Sequence, residues 1–304
     1  ANFRKLLEDV TLNPAMGYYL NTRGNQKENA QGRQPDENYA REVMQLMTIG
    51  LYQLDADGSV KTGGDGAPLD TYSLDDVTNL ARVFTGYDLD IKAAERNGFT
   101  PPGGGGSFDT KDWTTRPMAY TAGNHSMLEA RFLGATVPGG TPGPAALKIA
   151  LDTLFSHPNV GPFIGKQLIQ RLVTSNPSPA YVKRVADIFA NNGAGVRGDM
   201  KSVFAAVLLD DEARGPAGLS DPNFGRLREP MLRLVQWGRT CGIGSATDAW
   251  KIGITSDASF GIGQSPLRSP SVFNFFRPGY VPPSTVIASN KLVAPEFQLV
   301  NESS

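Results

Sequence analysis

One cysteine stands among 304 residues, Cys241. No intrachain disulfide can form, and a thiolate metal cluster is excluded. The residue follows the apolar pattern PMLRLVQWGRT, where a lone thiol is expected to be buried and inert. Histidine is nearly as scarce, with two copies, His125 and His157. A zinc site would need carboxylates to complete it, and neither a metal nor any other cofactor is expected. Apolar runs are short: VFAAVLL at 203–209 is the longest clean one, well under a membrane span. The first residues show no charged-then-apolar secretory pattern. Net charge is −1, which leaves no electrostatic footprint for nucleic acid or an acidic membrane. No G-x-S-x-G elbow is present, against a conventional serine hydrolase. The glycines at 103–106 lack a following Lys-Ser/Thr and follow no strand, so they form no phosphate loop.

What is present suffices for a core. Hydrophobic residues make up 40% and charged residues 19% of the chain. Gly (34) and Pro (22) are abundant and point to long loops. Helical apolar spacing recurs at 2–20 (broken near Pro14), 36–50, 73–86, in four segments between 143 and 210, at 228–240 and near APEFQLV. Ser73 with Asp76 at the third helical position predicts a capped start, and Gly86 a left-handed stop. Leu74, Val77, Leu80, Ala81 and Phe84 would form the apolar face of that helix. Pro179 after Ser178, Gly193 and Asp199 punctuate the later helices. RPMAYTAGNHSMLEARFLGATVP (116–138) lacks a helical period and predicts a small β-hairpin around AGNH. TPPGGGGS is the best lid or excursion. No period-two strand series and no internal repeat are found. The fold class expected is mainly α: a multi-helix globular domain over 1–304 with one small β-hairpin and long Gly/Pro-rich loops. A sub-boundary would fall near 139–143.

The polar residues of 36–50 are unusually ordered. Tyr39, Val43, Leu46 and Met47 make an apolar stripe. Asn38, Arg41, Glu42 and Gln45 make a second stripe roughly opposite, interrupted by Met44 and Ile49. Buried polar groups need partners or a cavity. Asp75, Asn79 and Arg82 form a matching row on the next helix. Two readings stay open. In one, a cleft uses Glu42 as acid or base, paired with Asp75 or Asp76, and Arg41 and Arg82 as anion clamps. In the other, an ion-pair network docks the two helices.

His125, expected at a hairpin tip beside Trp113 and Arg116, is either a proton shuttle or a turn residue bonded to backbone. His157 precedes a proline and reads as a connector. DADGS at 55–59 has alternating oxygen donors but lacks the twelfth-position Glu of a calcium loop, so an Asp-Gly turn is expected. Glu229 and Arg233 are spaced to pair. The aromatic run SVFNFFRPGY reads as the seal of a core.

ENYAREVMQLMTIG, YSLDDVTNLARVFTGY, RLVTSNPSPAYVKRVADIF, GVRGDMKSV, LREPMLRLVQW and SVFNFFRPGYVPP, in that order along almost the whole chain, resemble domain-of-unknown-function family 1800. The resemblance implies a bacterial protein, commonly exported to the periplasm or cell exterior, and a co-exported protein or an envelope polymer as partner. It also implies an additional N-terminal helical region, so the chain is expected to be the C-terminal part of a longer precursor. The family's histidine motif continues His-Asp with a lysine shortly after; here Ser126 follows His125 and Ala130 stands at the lysine position. Two functions follow as expectations. One is a hydrolase or lyase on a carbohydrate or envelope polymer, with Glu42, Asp76 and His125 catalytic and Asn38, Arg41, Gln45, Arg82, Trp113 and Arg116 binding. The other is a non-catalytic cell-surface or assembly protein.

Overall fold

The computed structural model describes residues 1–91 and 112–299. The glycine stretch expected as a lid lies outside them. Among the described residues the chain is mainly helical. The helices are α1 (Phe3–Thr11), α2 (Pro14–Tyr19), α3 (Asn38–Gln45), α4 (Leu74–Val83), α5 (Gly143–Ser156), α6 (Val160–Leu172), α7 (Pro179–Ala190), α8 (Met200–Leu209), α9 (Asp211–Arg214), α10 (Pro230–Thr240) and α11 (Val286–Ser289). Two short antiparallel pairs join them: β1 (Tyr87–Asp88) with β2 (Ala119–Tyr120), and β3 (Ala130–Phe132) with β4 (Ala135–Val137). The chain divides into two compact units, Ala1–Ile164 with Ala186–Val203, and Gly165–Val185 with Phe204–Ser304. Residues 139–143 fall inside the first unit rather than at its edge.

Local chemistry explains the helix starts. Asn2 and Asn13 each accept a backbone N–H, from Arg4 and Ala15, at 2.9 Å. Pro14 then sits at the first turn of α2, where no donor is lost. At α4 the capping box forms in full: Asp76 N–H donates to Ser73 Oγ (3.2 Å), and Ser73 N–H donates to Asp76 Oδ2 (2.7 Å). Val77, Leu80, Ala81 and Phe84 are buried, as their spacing requires, but Leu74 is exposed because it sits at the first turn, above the core.

α3 is shorter than the 36–50 pattern suggests. It ends at Gln45, and the N–H groups of Ile49 and Gly50 both return to Met44 O. Gly50 takes φ +74 to make that turn. Met44 and Ile49, off the predicted stripe, are fully buried, while Leu46 and Met47 are half-buried. The Tyr39 ring packs edge-on against Phe84, 4.9 Å between centroids at 90°. Its hydroxyl donates to Thr11 Oγ1 at 2.8 Å.

Residues 51–71 form a small antiparallel meander. Lys61 N–H donates to Gln53 O, Leu69 N–H to Lys61 O, and Gln53 N–H to Leu69 O, at 2.8–2.9 Å. Its first corner is the predicted Asp-Gly turn: Gly58 takes φ +78, and Ser59 N–H donates to Asp57 Oδ1 at 2.9 Å.

The hairpin lies further along than AGNH. Phe132 pairs with Ala135, leaving Leu133 (φ +49) and Gly134 (φ +76) as a two-residue turn. Ala122–Asn124 is instead a turn of 3-10 helix that His125 terminates.

In the second unit, Arg171 lies over the Phe276 ring at 4.2 Å, and Phe276 is buried, while Phe273, Phe275 and Tyr280 of the same run are half-buried. Arg184 grips Asp210 with two 2.8 Å bonds. Glu229 accepts from Gln264 rather than pairing with Arg233. Cys241 corrects the buried-thiol expectation: it is exposed at the C-terminal end of α10. That helix buries Pro230 and leaves Leu232, Val235 and Trp237 exposed, so its apolar spacing encloses no thiol.

Candidate functional site

Glu42 is the acid of the α3 stripe that the fold buries. α3 carries it into the interior, where the residue is 8% exposed. Its Oε2 is buried and accepts no hydrogen bond. Burial pushes its carboxyl above the ordinary glutamate value of 4.5, and the neighbouring Arg41 guanidinium opposes the shift. Arg41 itself is committed elsewhere, 3.3 Å from Glu37 one turn back. Gln45 Oε1 faces the Tyr72 hydroxyl at 3.4 Å. Burial raises the Tyr72 phenol; Arg41 opposes that, while Glu42 and Asp70 add to it. Arg41, Glu42, Gln45 and Tyr72 therefore share one environment. Asn38 stands apart, where its backbone N–H donates to Asp36 Oδ1 at 2.8 Å.

The row on α4 does not meet this stripe. Arg82 donates to Asn79 Oδ1 and to Glu129 O, each at 2.9 Å, and so faces the strand side. α3 and α4 are instead bridged by Thr78, whose hydroxyl donates to Glu37 Oε1 at 2.6 Å. Asp76 is engaged through both oxygens: Oδ2 in the capping box, and Oδ1 accepting Leu133 N–H at 2.7 Å. Burial acts to raise its carboxyl, but the hydrogen bonds from Ser73 and Leu133 outweigh it and hold the group below the usual range. This bond also steadies Leu133 in a left-handed conformation that a bulky side chain disfavours. Asp76→Ala is expected to cost about 2 kcal/mol, a cap plus a charge-assisted bond, read as a lower urea midpoint with unchanged slope. A shift under about 0.5 kcal/mol would contradict the role described for Asp76.

His125 is buried, 1% exposed, and not at a hairpin tip. Its Nδ1 lies 2.9 Å from Thr85 O. A carbonyl only accepts, so Nδ1 carries the proton in this arrangement. Thr85 Oγ1 accepts Ser126 N–H at 2.8 Å, and the Ser126 hydroxyl donates to Glu28 at 2.9 Å. Here the histidine joins a local brace. Arg116 pairs with Asp90 at 3.0 Å. Trp113, half-buried, lies 6.4 Å from the Tyr18 ring. His157 ends α5 as a connector, its carbonyl accepting from Arg197 at 3.0 Å.

Tyr18 opens onto a feature that no motif announced: a polar cavity of about 470 Å³ bordered by the segment 21–36. The only sequence sign is that NTRGNQKENAQGRQPDEN contains almost no apolar residue.

These features define a mainly helical protein with a buried, unpaired acid on α3 and a separate polar cavity beside α2. The chain belongs to the family described as protein of unknown function DUF1800, whose model matches residues 1–303. No curated protein and no solved structure matches it. No described helix is long and apolar enough to cross a membrane.

Proposed function

We propose that this is an exported, non-catalytic surface or assembly protein, working with a co-exported partner or an envelope polymer. The observation that supports this reading is the engagement of Asp76 and His125, two of the groups expected to act with Glu42. Both Asp76 oxygens accept hydrogen bonds, and His125 is tied to Thr85. A two-carboxylate hydrolysis needs a second acid free to reach substrate. Export rests on the family resemblance alone.

Glu42 favours a second reading. A buried carboxyl with an unpartnered oxygen and a raised pKa is suited to proton transfer. Glu42→Gln separates the two. Folded Glu42 holds its proton more tightly than unfolded Glu42. Its stabilising contribution is therefore fully present below the ordinary value of 4.5 and is lost as pH rises through the raised folded value. The Gln variant lacks this titration. It is expected to be at least as stable as the parent at neutral pH, with a flatter stability profile across the acid range. The non-catalytic reading further expects neither protein to release fragments from labelled envelope polysaccharide. Turnover by the parent that vanishes in Glu42→Gln, with folding intact, would install the acid–base reading instead.

A further inference from the structure

We propose that the cavity beside α2 is a binding site for a carboxylate-bearing saccharide. Its principal groups are Tyr18, Arg23, Asn25, Gln26, Arg33 and Asp36. The proposal is independent of whether Glu42 transfers protons.

The wall is built rather than incidental. Asn25 clamps Asp36 in both directions, accepting its N–H at 2.9 Å and donating to its carbonyl at 3.3 Å. Gly24 N–H donates to Tyr87 O (2.9 Å), Lys27 N–H to Asn124 O (2.8 Å), and Gly86 N–H to Asn25 O (2.8 Å). A loop with no regular structure is thereby tied to the first unit at several points, which is the usual way a binding loop is held on a scaffold. Arg33 is oriented through Nε to Lys27 O (2.8 Å) and Nη1 to Gln26 Oε1 (2.6 Å). Those bonds leave Nη2 for a ligand. Arg23 lies over the Tyr18 ring at 4.5 Å and 3.3 Å from Asp88.

One hydroxyl makes the site incomplete as it stands. The OH of Tyr18, a residue that lines the cavity, is buried without a partner. Buried polar groups are ordinarily satisfied, so a hydroxyl left open there points to something that enters the cavity.

The chemistry selects the ligand class. Arg33 offers its remaining guanidinium nitrogen and Arg23 a second positive charge beside it, which match a carboxylate. The Gln26 amide offers donor and acceptor together, Asp36 accepts, and the Tyr18 hydroxyl can do either, which suits the hydroxyls of a sugar. A phosphate, with more charge, would meet the Asp36 carboxylate and the Asp88 that already faces Arg23. A nucleobase would need an aromatic face, and Arg23 covers a face of Tyr18.

The test is titration of the whole chain with glucuronate, glucose and inorganic phosphate, followed by calorimetry and amide NMR. Saturable glucuronate binding is expected, at least about tenfold tighter than glucose. Arg33→Gln and Tyr18→Phe, checked for native unfolding transitions, should each weaken it by about tenfold, while Glu42→Gln should not. Because Tyr18→Phe removes one oxygen and no charge, it guards against a misfolded arginine variant. Any of three results would overturn the proposal: no saturation up to about 10 mM, phosphate binding as tightly as glucuronate, or binding that both variants leave unchanged.

Discussion

Asn159→Ala is expected to lower the stability of the first unit by about 3 kcal/mol, the largest loss foreseen for a single polar side chain here. Asn159 is 2% exposed and lies just before α6. Its Oδ1 accepts Leu54 N–H at 3.0 Å, and its Nδ2 donates to Ile49 O at 2.9 Å and Tyr52 O at 2.8 Å. One side chain thus holds three backbone groups at the entrance to the 51–71 meander. That meander has few backbone hydrogen bonds of its own and no long strand, so this anchor adds to a small ladder. Truncation removes three hydrogen bonds worth roughly 1 kcal/mol each and leaves the buried Ile49 carbonyl open. Asn159→Asp should be worse at neutral pH, since a carboxylate then faces two carbonyls, and should recover in acid as it regains a donor. Denaturant midpoints give the magnitude. Hydrogen exchange gives the place: the amides of Gln53, Leu54 and Lys61 should lose protection first. A midpoint change equivalent to less than about 0.5 kcal/mol would mean that the turns hold the meander unaided.

Gly50→Ala should cost a similar amount, about 3 kcal/mol, for two separable reasons. Gly50 sits at φ +74, where an L side chain costs about 1–2 kcal/mol. An added Cβ would also stand 2.7 and 2.8 Å from ring atoms of Phe163, well inside contact, and forcing the ring aside costs about 1–3 kcal/mol. Placing Gly50→Ala in a Phe163→Ala background isolates the two. The steric part should vanish and the backbone part, about 1–2 kcal/mol, should remain. If the cost in that background equals the cost in the parent chain, the close approach to Phe163 contributes nothing.

The family has no described reaction, so the candidate site rests on geometry. There the contrast between Glu42 and Asp76 is instructive. Both are acidic residues on neighbouring amphipathic helices, and both were plausible acids from spacing. Burial raises one carboxyl; hydrogen bonds lower the other. Most of the lowering comes from Ser73, three residues away; the rest comes from a backbone N–H at Leu133, 57 residues from Asp76. The same holds for His125, whose partner Thr85 is 40 residues away, and for Arg82, whose partner Glu129 is 47 away.

The sequence by itself determined what is decided within a turn or two of chain. Ser73 and Asp76 cap a helix because both partners lie within four residues. Pro14 and Pro179 open helices, Asp57-Gly58 turns the chain, and the apolar spacing of α4 to α8 selects a helical fold. Only the tertiary structure decided the rest. It ended α3 at Gln45, moved the hairpin to 130–137, exposed Cys241, buried His125, left Glu42 Oε2 without a partner, and brought Tyr18 and Arg33 to one polar cavity. Each depends on groups brought together from distant segments, and helical spacing gives the direction a side chain faces without naming the residue that meets it.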